Sequence, residues 1–122
     1  MKIISLIFAT MISGCAGTPL TQSEINEINA PVTCKDKAEC DAKWSKAQAF
    51  VIQNSRWKIR VATDTIIQTE GPFDEMDLAY SASKIIKNDG SGEINVNAGC
   101  GNIFGCKVRP ADAVMAFKNY VQ

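Results

Sequence analysis

The sequence predicts a two-layer α+β domain in which a three- or four-stranded antiparallel sheet is covered by an N-terminal and a C-terminal helix. Apolar residues recur at helical spacing in residues 37–54 and again after Pro110. Between these stretches, apolar and polar residues alternate as they do in half-buried strands. Segments rich in turn-forming residues separate the alternating runs. Because both helices flank the strands, they can cover the same face of one sheet.

The first helix of the domain is predicted over residues 37–54. Asp36 and Glu39 have the spacing of a capping box, so the helix is expected to begin directly after Asp36. Apolar residues that recur at intervals of four, three and four positions form one helix face, namely Cys40, Trp44, Ala47 and Val51.

The residues after this helix predict the strands. Residues 56–63 alternate between apolar and polar side chains, as a half-buried strand does. Residues 64–70 either continue this strand through a bulge near Asp64 or form a second strand after a tight turn, and both alternatives stay open. Two further strands, residues 78–87 and 93–98, are joined by a hairpin turn in the segment NDGSG.

The last helix is predicted to begin at Pro110, because proline is favoured at the first helical position. Its apolar residues Val114, Phe117 and Val121 are three and four positions apart and share one face. The expected core combines apolar residues of both helices and of the strands, namely Trp44, Phe50, Trp57, Ile59, Val61, Ile94, Val96 and Phe117.

Residues 1–14 have the pattern of a secretory signal peptide. Lys2 supplies a short positive segment, and the apolar run of residues 3–12 is interrupted only by a serine and a threonine. This run is too short to cross a bilayer, which takes about 20 apolar residues. The alternative is a buried N-terminal helix, but the small residues and the polar stretch that follow favour a signal peptide.

The end of this segment, Ile12-Ser13-Gly14-Cys15, resembles the lipobox of bacterial lipoproteins, with isoleucine in place of the commoner leucine. The resemblance implies that the Cys15 thiol accepts a diacylglyceryl group and that cleavage precedes Cys15. The freed amine then accepts a further acyl chain such as palmitate, which completes a membrane anchor. Ala16 stands where an aspartate would favour the inner membrane, so the resemblance implies the outer membrane, on the periplasmic side, as the location.

Residues 15–33 are polar, contain two prolines and are predicted to be a tether between the lipid and the domain, residues 34–122. Within the tether, Thr21 and Glu24 have the spacing of a capping box, which predicts a short helix over about residues 22–29. A helix of this length is not stable by itself, so it is expected to form when it packs on the domain or at the lipid surface.

Four cysteines remain after Cys15, and in an exported chain of this size they predict two disulfides. Three pairings are open, and the two C-x5-C spacings favour Cys34 with Cys40 and Cys100 with Cys106. A zinc site is one alternative, but the usual ligand spacing is shorter and the chain has no histidine. A redox pair would more often have C-x-x-C spacing. The sequence therefore predicts neither a metal site nor a cofactor.

Three segments of the domain resemble a group of small proteobacterial lipoproteins of unknown function. They are the run C-x5-C-x3-W-x2-A that starts at Cys34, the strand ATDTIIQT, and the C-terminal element C-x3-FGC. This resemblance implies a location and a fold, and it implies no activity.

The charge balance and the residue types point away from nucleic acid and from catalysis. The chain has 13 basic and 13 acidic residues. Removal of the predicted signal peptide removes Lys2 and leaves 12 basic and 13 acidic residues. Nucleic-acid binding would require a basic cluster. The chain lacks histidine, the usual base beside a catalytic nucleophile. Asp74, Glu75 and Asp77 fall in one predicted loop and are expected to be solvated, so no enzyme activity is predicted.

The second disulfide would close a seven-residue ring, residues 100–106, which contains Ile103 and Phe104. If these two side chains point outward, they form a pre-organised apolar contact for an envelope protein partner. If they point inward, they cap the core. We expect inward packing.

The sequence therefore predicts a lipid-anchored periplasmic lipoprotein of the cell envelope that acts as an interaction or structural module. Its membrane contact is the lipid on Cys15. The alternative is a binding protein for a small ligand or an envelope polymer, which predicts a cleft between the sheet and the helices.

Overall fold

A computed structural model describes residues 19–122 of the chain. The predicted signal peptide, residues 1–14, and the predicted lipidation site, Cys15, lie outside the described residues. Within residues 19–122, no helix combines the length and the apolar character needed to cross a membrane.

Three helices and five strands make up the described chain, and the predicted α+β class is confirmed. The sheet has five strands instead of three or four. All neighbours are antiparallel, in the order β1-β5-β4-β3-β2. In chain order the elements are α1 (Gln22–Asn29), β1 (Val32–Cys34), α2 (Lys37–Asn54), β2 (Ile59–Ala62), β3 (Ile66–Thr69), β4 (Ala79–Ile86), β5 (Gly92–Gly99) and α3 (Pro110–Val121). Helices α2 and α3 pack on each other and on one face of the sheet.

The alternatives for residues 64–70 are decided in favour of two strands. Residues between β2 and β3 form a tight turn, in which the Thr63 N–H donates a 2.8 Å hydrogen bond to the Ile66 carbonyl. Strand β3 then pairs with β4, with Ile67 opposite Ala82, and Ile67 is fully buried. In the hairpin of β4 and β5, the pairing begins with Ala79 opposite Gly99 and ends with Ile86 opposite Gly92.

Strand β1 is the element that the sequence did not reveal. It has only three residues and begins directly after Pro31, inside the stretch predicted to be a tether. Val32 pairs with Ile94 of β5 and is 1% exposed. The predicted tether, residues 15–33, therefore contains all of α1 and two residues of β1.

The start of α2 has the predicted geometry. The Asp36 carboxylate accepts a 2.9 Å hydrogen bond from the Glu39 N–H, so it caps the helix. Cys34 and Cys40 form the predicted disulfide, with their Cα atoms 5.0 Å apart. Because Cys34 ends β1, this disulfide joins the edge strand to the first turns of α2.

The core lies between the sheet and the two long helices. Phe117 of α3 is at its centre, and its ring lies edge-on against that of Phe50, 5.4 Å between centroids. Of the residues expected in the core, Ile59 and Val96 are only partly buried, and Trp57 and Val61 lie outside the cluster. The buried core cluster consists of Val32, Trp44, Ala47, Phe50, Val51, Ile67, Leu78, Tyr80, Ala82, Ile94, Ala113, Phe117 and Val121.

We predict that Gly92→Ala destabilises the domain by about 1–3 kcal/mol, the usual cost of overpacking. A Cβ atom at position 92 would lie 2.7 Å from the Ile85 carbonyl oxygen and 3.1 Å from the Cys40 Sγ. The matched control is Gly99→Ala at the other end of β5, where a Cβ meets nothing within 4 Å. Urea denaturation measures both variants, and equal stability of the two would contradict the prediction.

Candidate functional site

One end of the domain is built around the second disulfide. Cys100 and Cys106 are bonded, with Cα atoms 5.8 Å apart, as predicted from their spacing. Residues 100–106 thus form a closed loop, which we call the ring. The ring, residues 55–58, residues 71–77 and residues 107–109 together form what we call the ring end of the domain.

Backbone hydrogen bonds hold the ring against the loop of residues 71–77. The Gly101 N–H donates to the Phe73 carbonyl at 2.9 Å, and the Lys107 N–H donates to the Met76 carbonyl at 2.9 Å. Position 101 must be glycine, because a Cβ there would lie 2.4 Å from the Phe73 carbonyl oxygen. The ring is therefore fixed by both a covalent bond and close backbone packing.

Ile103 and Phe104 are 90% and 88% exposed, so the expectation of inward packing is wrong. The physical reason is that the disulfide lies on the side of the ring that faces the core. Cys100 and Cys106 pack against the core. In so short a loop, the residues midway between them then project away from the core. A hydrogen bond of 2.9 Å from the Phe104 N–H to the Asn102 side-chain oxygen fixes the turn at the tip.

The exposed apolar surface is concentrated at the ring end. In residues 19–122, ten large apolar side chains are exposed, and five of these lie at the ring end. A concentration of exposed apolar side chains at one end of a folded domain is a candidate contact site. The five residues are Phe73, Met76, Ile103, Phe104 and Val108.

The three acidic residues of the loop at 71–77 are not an isolated carboxylate cluster. Arg56 donates to Asp77 at 2.7 Å and to Glu75 at 3.2 Å, and Lys107 Nζ lies 3.2 Å from Asp77. The hydrogen bond from Arg56, followed by that from Lys107, lowers the pKa of Asp77. A carboxyl group with a lowered pKa is ionised at neutral pH and does not serve as a general acid. The Asp74 carbonyl accepts a bond from Asn102 at 3.0 Å, so this loop supports the ring.

A polar cleft lies at the opposite end, which we call the hairpin end because it contains the turn between β4 and β5. The cleft has a volume of about 640 Å³. On its wall the Lys84 amine lies 3.4 Å from the Asp41 carboxylate and 5.8 Å from the centre of the Trp44 ring. The lining residues are Lys37, Asp41, Trp44, Ser45, Gln48, Asp64, Lys84, Ile86 and Gly90.

The cleft offers charged side chains to a polar ligand, while two of its hydrogen-bond donors are already engaged within the domain. Trp44 itself is 4% exposed, and its indole N–H is already bonded to the Thr63 carbonyl at 3.1 Å. Gln48 Nε2 donates to the same carbonyl at 3.2 Å. Across the described part of the chain, no three His, Cys, Asp or Glu side chains are grouped so that they could hold a metal ion.

Lys118 is a buried residue whose structural role was not predicted from the sequence. Its side chain is on the inner side of α3, is 6% exposed, and donates to the carbonyls of Glu27, Ile28 and Ala30. These are carbonyls at the C-terminal end of α1, where a cation is favourable. The signal was present in the sequence, since Lys118 follows Val114 by four positions and so falls on the apolar face.

The structure thus presents two distinct surfaces, a convex apolar one at the ring end and a concave polar one at the hairpin end. The predicted contact residues Ile103 and Phe104 belong to the first, together with the Cys100–Cys106 disulfide. No protein-family model, curated protein or solved structure matches this chain.

Proposed function

We propose that this chain is a bacterial lipoprotein, anchored by acyl chains on Cys15 at the periplasmic side of the outer membrane. Its domain acts there as an interaction or structural module of the cell envelope, without catalytic activity. The observation that carries this proposal is the lipobox-like Ile12-Ser13-Gly14-Cys15 directly after the apolar run of residues 3–12. The chemistry of lipidation requires a cysteine thiol that follows small residues at the end of a signal peptide.

The disulfides support the proposal in two ways. The chain has five cysteines, and the four within the described residues pair with one another. No cysteine in residues 19–122 is therefore left with a free thiol, which agrees with a separate role for the fifth cysteine, Cys15. Disulfides also persist in oxidising compartments such as the periplasm, and they are rare in the cytosol.

The ring end supports a role in binding rather than in catalysis. The Cys100–Cys106 disulfide constrains the backbone of its apolar tip, so little backbone entropy is lost when the tip makes a contact. Of the acidic residues beside it, Asp77 and Glu75 are engaged by basic side chains and Asp74 supports the ring through its backbone. This arrangement supports a module that touches other envelope components.

Mass spectrometry of the protein purified from bacterial membranes tests the anchor. We expect the N-terminal peptide to begin at Cys15 and to carry the mass of a diacylglyceryl group, with a further acyl chain on the amine. An unmodified thiol at Cys15 would refute the proposal. The peptide that contains Cys34 and Cys40 is the internal control, because it should carry only a disulfide.

A binding protein for a small ligand or an envelope polymer is the second candidate, and the cleft at the hairpin end favours it. Its volume of about 640 Å³ is within the range of small-molecule sites. Titration with soluble peptidoglycan fragments, followed by NMR of the Trp44 indole N–H, tests this candidate. An unchanged resonance would exclude this polymer as the ligand of the cleft.

A further inference from the structure

We infer that the ring end rests on the membrane that carries the anchor, with Ile103 and Phe104 inserted at the boundary between headgroups and acyl chains. The domain would then touch its bilayer at two points, the lipid on Cys15 and the tip of the ring. This inference rests on the proposed function, since it takes the Cys15 anchor as given.

Residues at the start of α1 show where the chain enters the domain. Leu20 lies in a groove beside Pro110 and Val114 at the start of α3. The Glu24 carboxylate lies 3.5 Å from Arg109, the last residue of the ring end. The described chain therefore begins beside the ring end.

Contacts with α3 fix the direction of α1. Lys118, near the C-terminal end of α3, binds carbonyls at the C-terminal end of α1. The two helices consequently run side by side in the same direction, and the N-terminal end of α1 stays beside the N-terminal end of α3. Leu20 is itself 36% exposed, which adds to the apolar surface here.

The chain between Cys15 and the described residues is short. Only four peptide units join Cys15 to Pro19, and four residues span at most about 14 Å. The groove beside Leu20 is also lined by Val96 and Ala98 of β5, which lie four and six residues from Gly92 at the hairpin end, or about 13–20 Å. A lipid on Cys15 therefore brings the ring end, and not the hairpin end, close to the bilayer.

The side chains at the tip of the ring are of the types that enter a membrane interface. Phenylalanine and large aliphatic side chains are those that proteins bury at the boundary of headgroups and acyl chains. Because a disulfide closes the ring and its tip is already exposed, it can enter a soft interface without rearrangement of the backbone. The adjacent charges of Arg56 and Lys107 are balanced by Asp77 and Glu75, so apolar contact rather than net charge drives the insertion. The contact should therefore persist at high salt.

Fluorescence of the full-length lipoprotein in vesicles tests the inference. The protein is purified from membranes and reconstituted into vesicles of phosphatidylethanolamine and phosphatidylglycerol with brominated acyl chains, which quench an indole on contact. We expect the added emission of Phe104→Trp to be blue-shifted and strongly quenched. The matched control is Ile86→Trp at the hairpin end, a 50% exposed position where we expect no quenching above that of the wild-type tryptophans.

The possible results distinguish failure of the membrane contact of the ring from failure of the proposed anchor on Cys15. If mass spectrometry shows acylated Cys15 but Phe104→Trp is no more quenched than Ile86→Trp, the inference fails and the anchor stands. An unmodified Cys15 overturns both. A photo-crosslinker at position 103 in intact cells gives a second measurement: lipid adducts support the inference, whereas a single protein adduct assigns the ring to a protein partner and overturns it.

Discussion

Cys15→Ser should remove the protein from the outer membrane almost completely. The serine hydroxyl does not replace the thiol as the acceptor of the diacylglyceryl group, and the signal peptide is then not cleaved at this site. Two or more acyl chains form a stable anchor, while a single chain binds only with an association constant of about 10⁴ M⁻¹. Density-gradient separation of the membranes, with mass spectrometry of the N-terminal peptide, measures both the location and the retention of residues 1–14.

Changes at the neighbouring position serve as controls for this prediction. Ala16→Ser preserves the thiol and should leave the protein acylated and in the outer membrane. Ala16→Asp should also leave it acylated but shift it to the inner membrane, as the resemblance to lipoproteins implies. Outer-membrane location of Cys15→Ser, with no acyl chain attached, would contradict the proposed anchor.

Phe117→Ala should be the most destabilising single change in the core, with a loss of about 3–5 kcal/mol. Phe117 is fully buried, and its ring lies edge-on against that of Phe50. The substitution would lose the transfer free energy of the buried phenyl group and leave a cavity between α3 and the sheet. Since domains of this size have a stability of only about 5–15 kcal/mol, a large fraction of the folding free energy would be lost.

Phe104→Ala is the matched control, because it also removes a phenyl group, but from an 88% exposed position. Its effect on stability should stay within about 0.5 kcal/mol, as for other surface substitutions. Thermal and urea denaturation of the two variants give the comparison. If Phe104→Ala were as destabilising as Phe117→Ala, the ring tip would have to pack against the domain, and the membrane contact would lose its basis.

The parts of the fold that were predicted correctly depend on neighbours in the chain. The cap of α2 is a bond between Asp36 and Glu39, three residues apart, and each disulfide joins cysteines six residues apart. Helical spacing placed Val114 and Phe117 on the buried face of α3. Such local interactions can be predicted directly from the spacing of the residues in the sequence.

The parts that were missed depend on partners far away in the chain. Strand β1 has three residues and no alternation long enough to detect, and it exists because Val32 pairs with Ile94. Likewise, the sequence identified the ring as a candidate contact, but the side on which Ile103 and Phe104 lie depends on how the cysteines pack against the core.

By itself, the sequence determined the α+β class, the three helices, both disulfides and the lipobox-like segment on which the proposed anchor rests, because each is specified within a few consecutive residues. Only the tertiary structure decided that the ring tip points outward and that the chain enters the domain beside it. Both outcomes arise from contacts between segments about 30 to 90 residues apart, such as Gly101 with Phe73 and Lys118 with Glu27. Packing of the whole domain sets these contacts, and no short stretch of sequence encodes them.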